Sequence, residues 1–182
     1  ANWRDTSTMT LLFKPSLRKA LAAPGVVELM PGDVAVGDAG DQLKTLLGSC
    51  VSVILTDPRR TMAAMCHIVH VGVPNAANKS NTAYGQVAMH DMFAHLRAKG
   101  VNPNMCEAYV FGGGNMFPQF FSARNVGTSN ADWVMGYLQE QGIQVIDQSL
   151  GGTGYRKVSW TVGPARPAVE TVFPEQGTVN DR

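Results

Sequence analysis

Two runs of β-branched and aliphatic residues, CVSVIL from Cys50 and MCHIVHV from Met65, flank the turn-forming segment TDPRRT. No other feature constrains the fold as strongly. Apolar runs separated by a short polar segment containing Pro predict an antiparallel hairpin. Pro58 supplies the backbone angle preferred at the first central position of a turn. A symmetric closure pairing Asp57 with Arg60 places Cys50 directly opposite His67, with Cβ atoms about 4.5–5.5 Å apart. Side-chain alternation then puts His70 on the other face. One extra loop residue, or a bulge, would change the register and turn the histidine away.

Downstream of the hairpin the period changes. Tyr84, Ala88, Met92 and Leu96 recur at helical spacing between about Thr82 and Lys99, and Gly100 stands at the expected stop. CEAYVF reads as a strand entering the run Gly112, Gly113, Gly114. A second helix is predicted from Asn130, a good N-cap, through Val134, Tyr137, Leu138 and Gln141 to Gly142. IQVI and YRKVSWTV read as further strands. Helices interspersed with strands and a hairpin predict an α+β (mixed α/β) fold, with helices packed on a mostly antiparallel sheet or sandwich. At roughly 150 residues per domain, 182 residues make one domain. Its boundaries are predicted as an N-terminal extension (1–25), a domain (26–165) and a C-terminal tail (166–182).

Composition narrows the function classes. Fifteen Lys and Arg against fourteen Asp and Glu give a net charge of +1, unlike the strongly basic domains that hold nucleic acid. The least charged runs are broken by Gly, Pro, Asn and His, so no membrane span is expected. The first residues lack the pattern of a signal peptide. Three cysteines without close pairing do not resemble a secreted disulfide framework, and a reducing cytoplasm fits better.

Among those cysteines Cys50 stands apart. It follows Gly48 and Ser49 where a loop enters a strand, so the backbone can bend and expose a thiol and an N–H. A neighbouring imidazolium lowers a thiol toward thiolate at neutral pH. A nucleophile–base pair also wants a third group to hold the base, and Thr45 stands just upstream. Cys66 and Cys106 lie in apolar strands and read as buried hydrophobes. The glycine runs lack the spacing of dinucleotide or phosphate loops; tight turns or close backbone approach explain them better. His67 and His70 point to opposite faces of a strand, which defeats chelation by that pair. Arg59 and Arg60 read as solvated turn residues.

The string TLLGSCV, the histidine in the next strand, Tyr84 with its helix, FGGGNMF, VGTSN and DQSLGGTGYRKVSW occur in an order that resembles the CheD family of chemoreceptor glutamine deamidases. The resemblance covers roughly residues 31–162. It implies an architecture like that of deamidating toxins and a protein-glutamine glutaminase of the Cys–His–Thr type. Cys50 is then the nucleophile, His67 the general base and acid, and Thr45 the residue that orients the histidine. Gly48 and Ser49 shape the oxyanion and substrate-positioning loop, whose N–H groups would each contribute about 3 kcal/mol. The implied reaction converts specific receptor glutamines to glutamate, and methylglutamate would follow the same steps. No metal or organic cofactor is required. The implied partners are the cytoplasmic helices of methyl-accepting chemoreceptors and a CheC-type phosphatase, with no nucleic acid and no membrane insertion. The implied location is the cytoplasm, at receptor arrays. Two other readings stay open: a regulatory partner of such a phosphatase with weak catalysis, and a cysteine amidase acting on another protein.

Overall fold

The computed structural model describes residues 25–120 and 125–174. Among these, strands β1 (Val26–Leu29), β2 (Val34–Asp38), β3 (Gln42–Leu47), β4 (Val51–Thr56) and β5 (Met62–Cys66) precede helix α1 (Gly85–Ala98). Then follow β6 (Glu107–Gly112), helix α2 (Val126–Glu140), β7 (Gln144–Leu150), β8 (Tyr155–Thr161) and β9 (Ala168–Val172). The strands form a five-stranded sheet, β2-β5-β4-β6-β7, and a four-stranded sheet, β1-β3-β8-β9. Only the pairs β1–β3 and β6–β7 are parallel. The fold is therefore mixed α/β with mostly antiparallel pairing, as the sequence predicts.

Alternation along the central strands explains the layering. Val51, Val53 and Leu55 of β4 join Ala88, Met92 and Leu96 of α1 and Val134 and Leu138 of α2 in one core. Ile54, with Ala63 and Met65 of β5, faces the other way, onto Leu43 and Leu47 of β3 and Val158 and Trp160 of β8. The five-stranded sheet is thus covered by helices on one face and by the second sheet on the other. Every residue of β4 and β5 is consequently buried, and each fully buried aliphatic side chain contributes about 1.5–3 kcal/mol.

The hairpin forms, but its register differs from the symmetric closure. Observed pairs run from Thr56↔Ala63 through Ile54↔Met65 to the bridge Val51↔Ile68, so Cys50 lies opposite Val69 and not His67. The cause is a longer turn. Asp57 accepts the Arg60 N–H on its carbonyl, while its carboxylate accepts from Thr61 N, Thr61 Oγ1 and Met62 N. Arg60 adopts a positive φ of 55°, which takes up the extra residues. Burial pushes the Asp57 carboxyl up, but these hydrogen bonds outweigh it and hold it below its ordinary value. The slip is by two positions, an even number, so His67 keeps its face. Arg60 is also not a free solvated cation: it donates to Pro164 O at 3.0 Å and lies over the Tyr109 ring.

Other differences lie at element ends. Helix α2 begins four residues before Asn130, with Asn125 as N-cap accepting from Thr128 N; the polar, glycine-containing GTSN segment conceals that first turn. Helix α1 begins at Gly85, and Gly100 and Gly142 close the two helices with positive φ. The sequence pattern does not predict strands β1, β2 and β3, because short strands of mixed polarity give little periodic signal. Strand β9 pairs with β8, so the sheet continues past residue 165, where the sequence suggests a tail. Residues 1–24 of the predicted N-terminal extension and the last eight residues lie outside the described residues. Among the described residues no helix is long and apolar enough to cross a membrane.

Candidate active site

Strand β3 of one sheet runs through Gly48, Ser49 and Cys50 directly into β4 of the other, so Cys50 sits where the chain crosses between sheets. Three successive carbonyls of this crossing are tied down. Gly114 N donates to Gly48 O at 3.0 Å and Gly113 N to Cys50 O at 2.9 Å. Between them, Asn130 Nδ2 donates to Ser49 O at 3.1 Å. With these carbonyls engaged, the backbone N–H groups of Ser49 and Cys50 make no backbone hydrogen bond among the described residues, which leaves them as candidate oxyanion donors.

The glycine run makes this contact possible. A Cβ on Gly112 would collide with the Cys50 carbonyl oxygen, and one on Gly127 with the carbonyl oxygen of Gly114. Close backbone approach, one of the two sequence readings, is therefore what Gly112 and Gly127 provide. Gly48 is different: its φ is not positive, and an added Cβ would make only ordinary contact with Met116 at 3.5 Å.

Thr45 and His67 meet in the space between the sheets, and Cys50 packs on the same side of β4. Leu43, Thr45 and Leu47 point inward along β3, while Lys44 is only half-buried. The alternation thus selects Thr45 over its neighbour Lys44. Cys50 packs against the inter-sheet core, and the parity of β5 directs His67 to the same side. Thr45 Oγ1 lies 2.8 Å from His67 Nδ1 and donates to Leu29 O at 2.7 Å. A hydroxyl has one proton, and a carbonyl can only accept. Thr45 must therefore accept from His67, which makes Nδ1 the protonated ring nitrogen and leaves the lone pair on Nε2. Leu29 owes its position to the parallel pair Leu29↔Thr45. Thr45→Val removes this acceptor while keeping side-chain volume. The imidazole ¹⁵N shifts of His67 should then move from a single Nδ1–H tautomer to a mixture; an unchanged spectrum would show that Thr45 does not set the tautomer.

The charge states differ from a preformed thiolate–imidazolium pair. Burial lowers the His67 imidazole below its ordinary value, with the Leu29 carbonyl and the Asp33 carboxylate opposing it more weakly. Burial raises the half-buried Cys50 thiol. Both groups are thus neutral at pH 7, and among the described residues Cys50 Sγ makes no hydrogen bond. Proton transfer must accompany attack on a substrate. Cys66 and Cys106 are buried and pushed up to about 12 and about 11, mainly by desolvation, so neither competes as a nucleophile.

Sequence reading missed Asn130 as a site residue, taking it for a helix cap. It is 1% exposed and also donates to Val69 O at 3.3 Å. A polar residue flanked by the apolar period of α2 was the only available signal. His70 packs against Tyr84 in a tilted ring contact with centroids 5.1 Å apart, and takes no part in the Thr45–His67 pair. Among the described residues no cluster of three or more His, Cys, Asp or Glu could hold a metal. Beside the crossing, a cavity of ≈ 150 Å³ is lined by Ser49, Gly114, Met116, Phe117, Val126 and Gly127. Phe117 and Phe120 are 56% and 76% exposed, giving this end of the molecule an apolar surface.

Comparison with known proteins agrees with the ordered motifs. The family described as CheD chemotactic sensory transduction matches residues 72–171. That match begins after His67 and does not reach Thr45, Cys50 or His67. The chain is similar to the probable chemoreceptor glutamine deamidase CheD 2 of Albidiferax ferrireducens, 38% identical over 74% of this chain and 80% of that protein. It is also similar to the probable chemoreceptor glutamine deamidase CheD 1 of Shewanella oneidensis, 34% identical over 94% of this chain and 83% of that one. Among solved structures it is similar to the Neisseria meningitidis protein NMB0706, at TM-score 0.43 and 13% identity over 75% of this chain and 67% of that one.

Proposed function

Since the chain belongs to the CheD family, we propose that it hydrolyses the side-chain carboxamide of specific chemoreceptor glutamines to glutamate, with Cys50 as nucleophile. The observation that carries this reading is the Leu29–Thr45–His67 chain of hydrogen bonds, which leaves the His67 Nε2 lone pair free to act as a base.

Nε2 takes the thiol proton as Sγ bonds to the carboxamide carbon, and the former carbonyl oxygen becomes an oxyanion facing the Ser49 and Cys50 N–H groups. The proton on Nε2 passes to the departing ammonia as the C–N bond breaks, leaving a thioester. Nε2 then takes a proton from water, whose oxygen bonds to the carbonyl carbon. The C–S bond breaks, glutamate is released, and the proton returns to sulfur. A methyl ester differs only in its leaving group.

The substrate is a folded protein surface, and the exposed Phe117, which lines the cavity beside Ser49, offers apolar area for it. A CheC-type phosphatase covering the same surface would inhibit the reaction. Receptor helices place the enzyme at chemoreceptor arrays in the cytoplasm.

The test is to incubate the protein with a receptor cytoplasmic fragment and follow individual glutamines by peptide mass spectrometry. Conversion at discrete glutamines is expected, and no conversion would overturn the reading. The pH dependence is also fixed in sign. Activity needs neutral His67, whose lowered pKa puts the acid limb of kcat/KM below pH 6.5. The raised thiol predicts no alkaline decline attributable to loss of an imidazolium partner up to about pH 9. A bell with its acid limb well below pH 5 and a fall near pH 8 would instead indicate a standing ion pair.

A further inference from the structure

The hairpin ladder ends at the bridge Val51↔Ile68, where the two residues exchange both backbone bonds at 3.1 and 2.8 Å. Beyond it the two chains part. Cys50 O turns to Gly113 N, and Val69 N turns to Ala83 O. Cys50 thus lies just past the last backbone bonds that its chain shares with the His67 strand, opposite Val69. A displacement of about 1 Å between reacting groups can cost a hundredfold in rate.

One side chain spans the gap. Asn130 Nδ2 donates one hydrogen to Ser49 O at 3.1 Å and the other to Val69 O at 3.3 Å. Ser49 O belongs to the peptide that carries the Cys50 N–H, and Val69 follows His67 by two residues. Both acceptors are carbonyls, so the orientation of the amide is determined. At 1% exposure, water does not compete for these bonds. Docking of α2 needs no such contact, because Ala131, Val134 and Leu138 already bury its apolar face. Serine at this position has one donor and shorter reach, and alanine has none.

We propose that Asn130 is a positioning residue that fixes the Ser49–Cys50 peptide against the His67 strand, so that the thiol proton can pass to the imidazole. The inference rests on the Cys50–His67 reading.

Thiol alkylation separates the two claims without a receptor. The rate of Cys50 modification by iodoacetamide, read by peptide mass spectrometry, is measured from pH 5 to 10 in wild type, His67→Ala, Asn130→Ser and Asn130→Gln. Wild type should show an imidazole-assisted limb that rises below pH 6.5 and is fully developed at pH 7, which His67→Ala removes. Asn130→Ser should lose at least about tenfold on that limb, yet stay within about twofold above pH 9, where the thiol ionises unaided. Asn130→Gln retains two donors and should recover part of the limb, which covers the case in which the serine variant folds poorly. If His67→Ala keeps the limb, the dyad itself fails. If His67→Ala loses it while both Asn130 variants keep it, or if Asn130→Ser lowers the rate equally at pH 7 and pH 10, only the positioning role is overturned.

Discussion

Cys50→Ala should reduce conversion of receptor glutamines by at least about 10⁴-fold with little change in stability, and His67→Ala by about 10²–10⁴-fold. The difference has a physical origin. Without sulfur there is no thioester, and the two-step route through two lower barriers disappears. Without the imidazole the nucleophile remains, but its proton must leave through solvent, and at pH 7 a thiol raised by burial offers little thiolate. Conversion by the histidine variant should therefore recover partly as pH rises, whereas conversion by the alanine variant at position 50 should not. The double variant should be no slower than Cys50→Ala alone, because residues acting as one unit are strongly non-additive. Mass spectrometry of each receptor glutamine, beside a thermal melt, provides the measurement. Wild-type conversion in either single variant would remove that residue from the mechanism.

Gly112→Ala should produce the largest loss of stability of any single methyl addition at the site, about 3 kcal/mol. Gly112 has φ +115°, a conformation that L side chains rarely adopt, and its added Cβ would meet the Cys50 carbonyl oxygen and lie 3.2 Å from Val51 Cα. Both obstacles are backbone, so no rotamer change relieves them. The strand end and the crossing must separate, carrying Cys50 away from its hydrogen bond with Gly113. A drop in Tm of roughly 6–12 °C is expected for a chain of this size. Gly136→Ala is the internal control. It lies on the exposed face of α2 with nothing within 4 Å of an added Cβ, so it should stabilise by about 0.5–1 kcal/mol. Equal melting points for the two variants would refute the steric account of the glycine run.

These expectations depend unequally on sequence and on fold. Side-chain parity was legible: Cys50, His67 and Ile54 share a face in any hairpin with an even register slip, and the observed slip is even. The spacing across the turn was not legible. It depends on how Asp57 distributes four hydrogen bonds among Arg60, Thr61 and Met62, and on Arg60 accepting a positive φ. The choice of Thr45 over Lys44 rested on a motif in the sequence, whereas in the structure it follows from strand β3, whose mixed polarity hid it. Asn130 looked like a helix cap because the residues before it read as a turn. Its two bonds, to Ser49 and Val69, join positions 81 and 61 residues away, which local periodicity does not reveal.

The sequence by itself determined the elements with strong period, the candidate nucleophile and base at positions 50 and 67, the inert setting of Cys66 and Cys106, and the family. Each follows from local pattern or from an ordered set of motifs, neither of which requires distances. The tertiary structure alone decided the tautomer of His67, the neutral resting state of both groups and the restraint on the Cys50 crossing. Those depend on which carbonyl lies within 3 Å of which donor, and on how much water each group has lost. Such quantities arise only when β1 and β3 of one sheet close over β4 and β5 of the other.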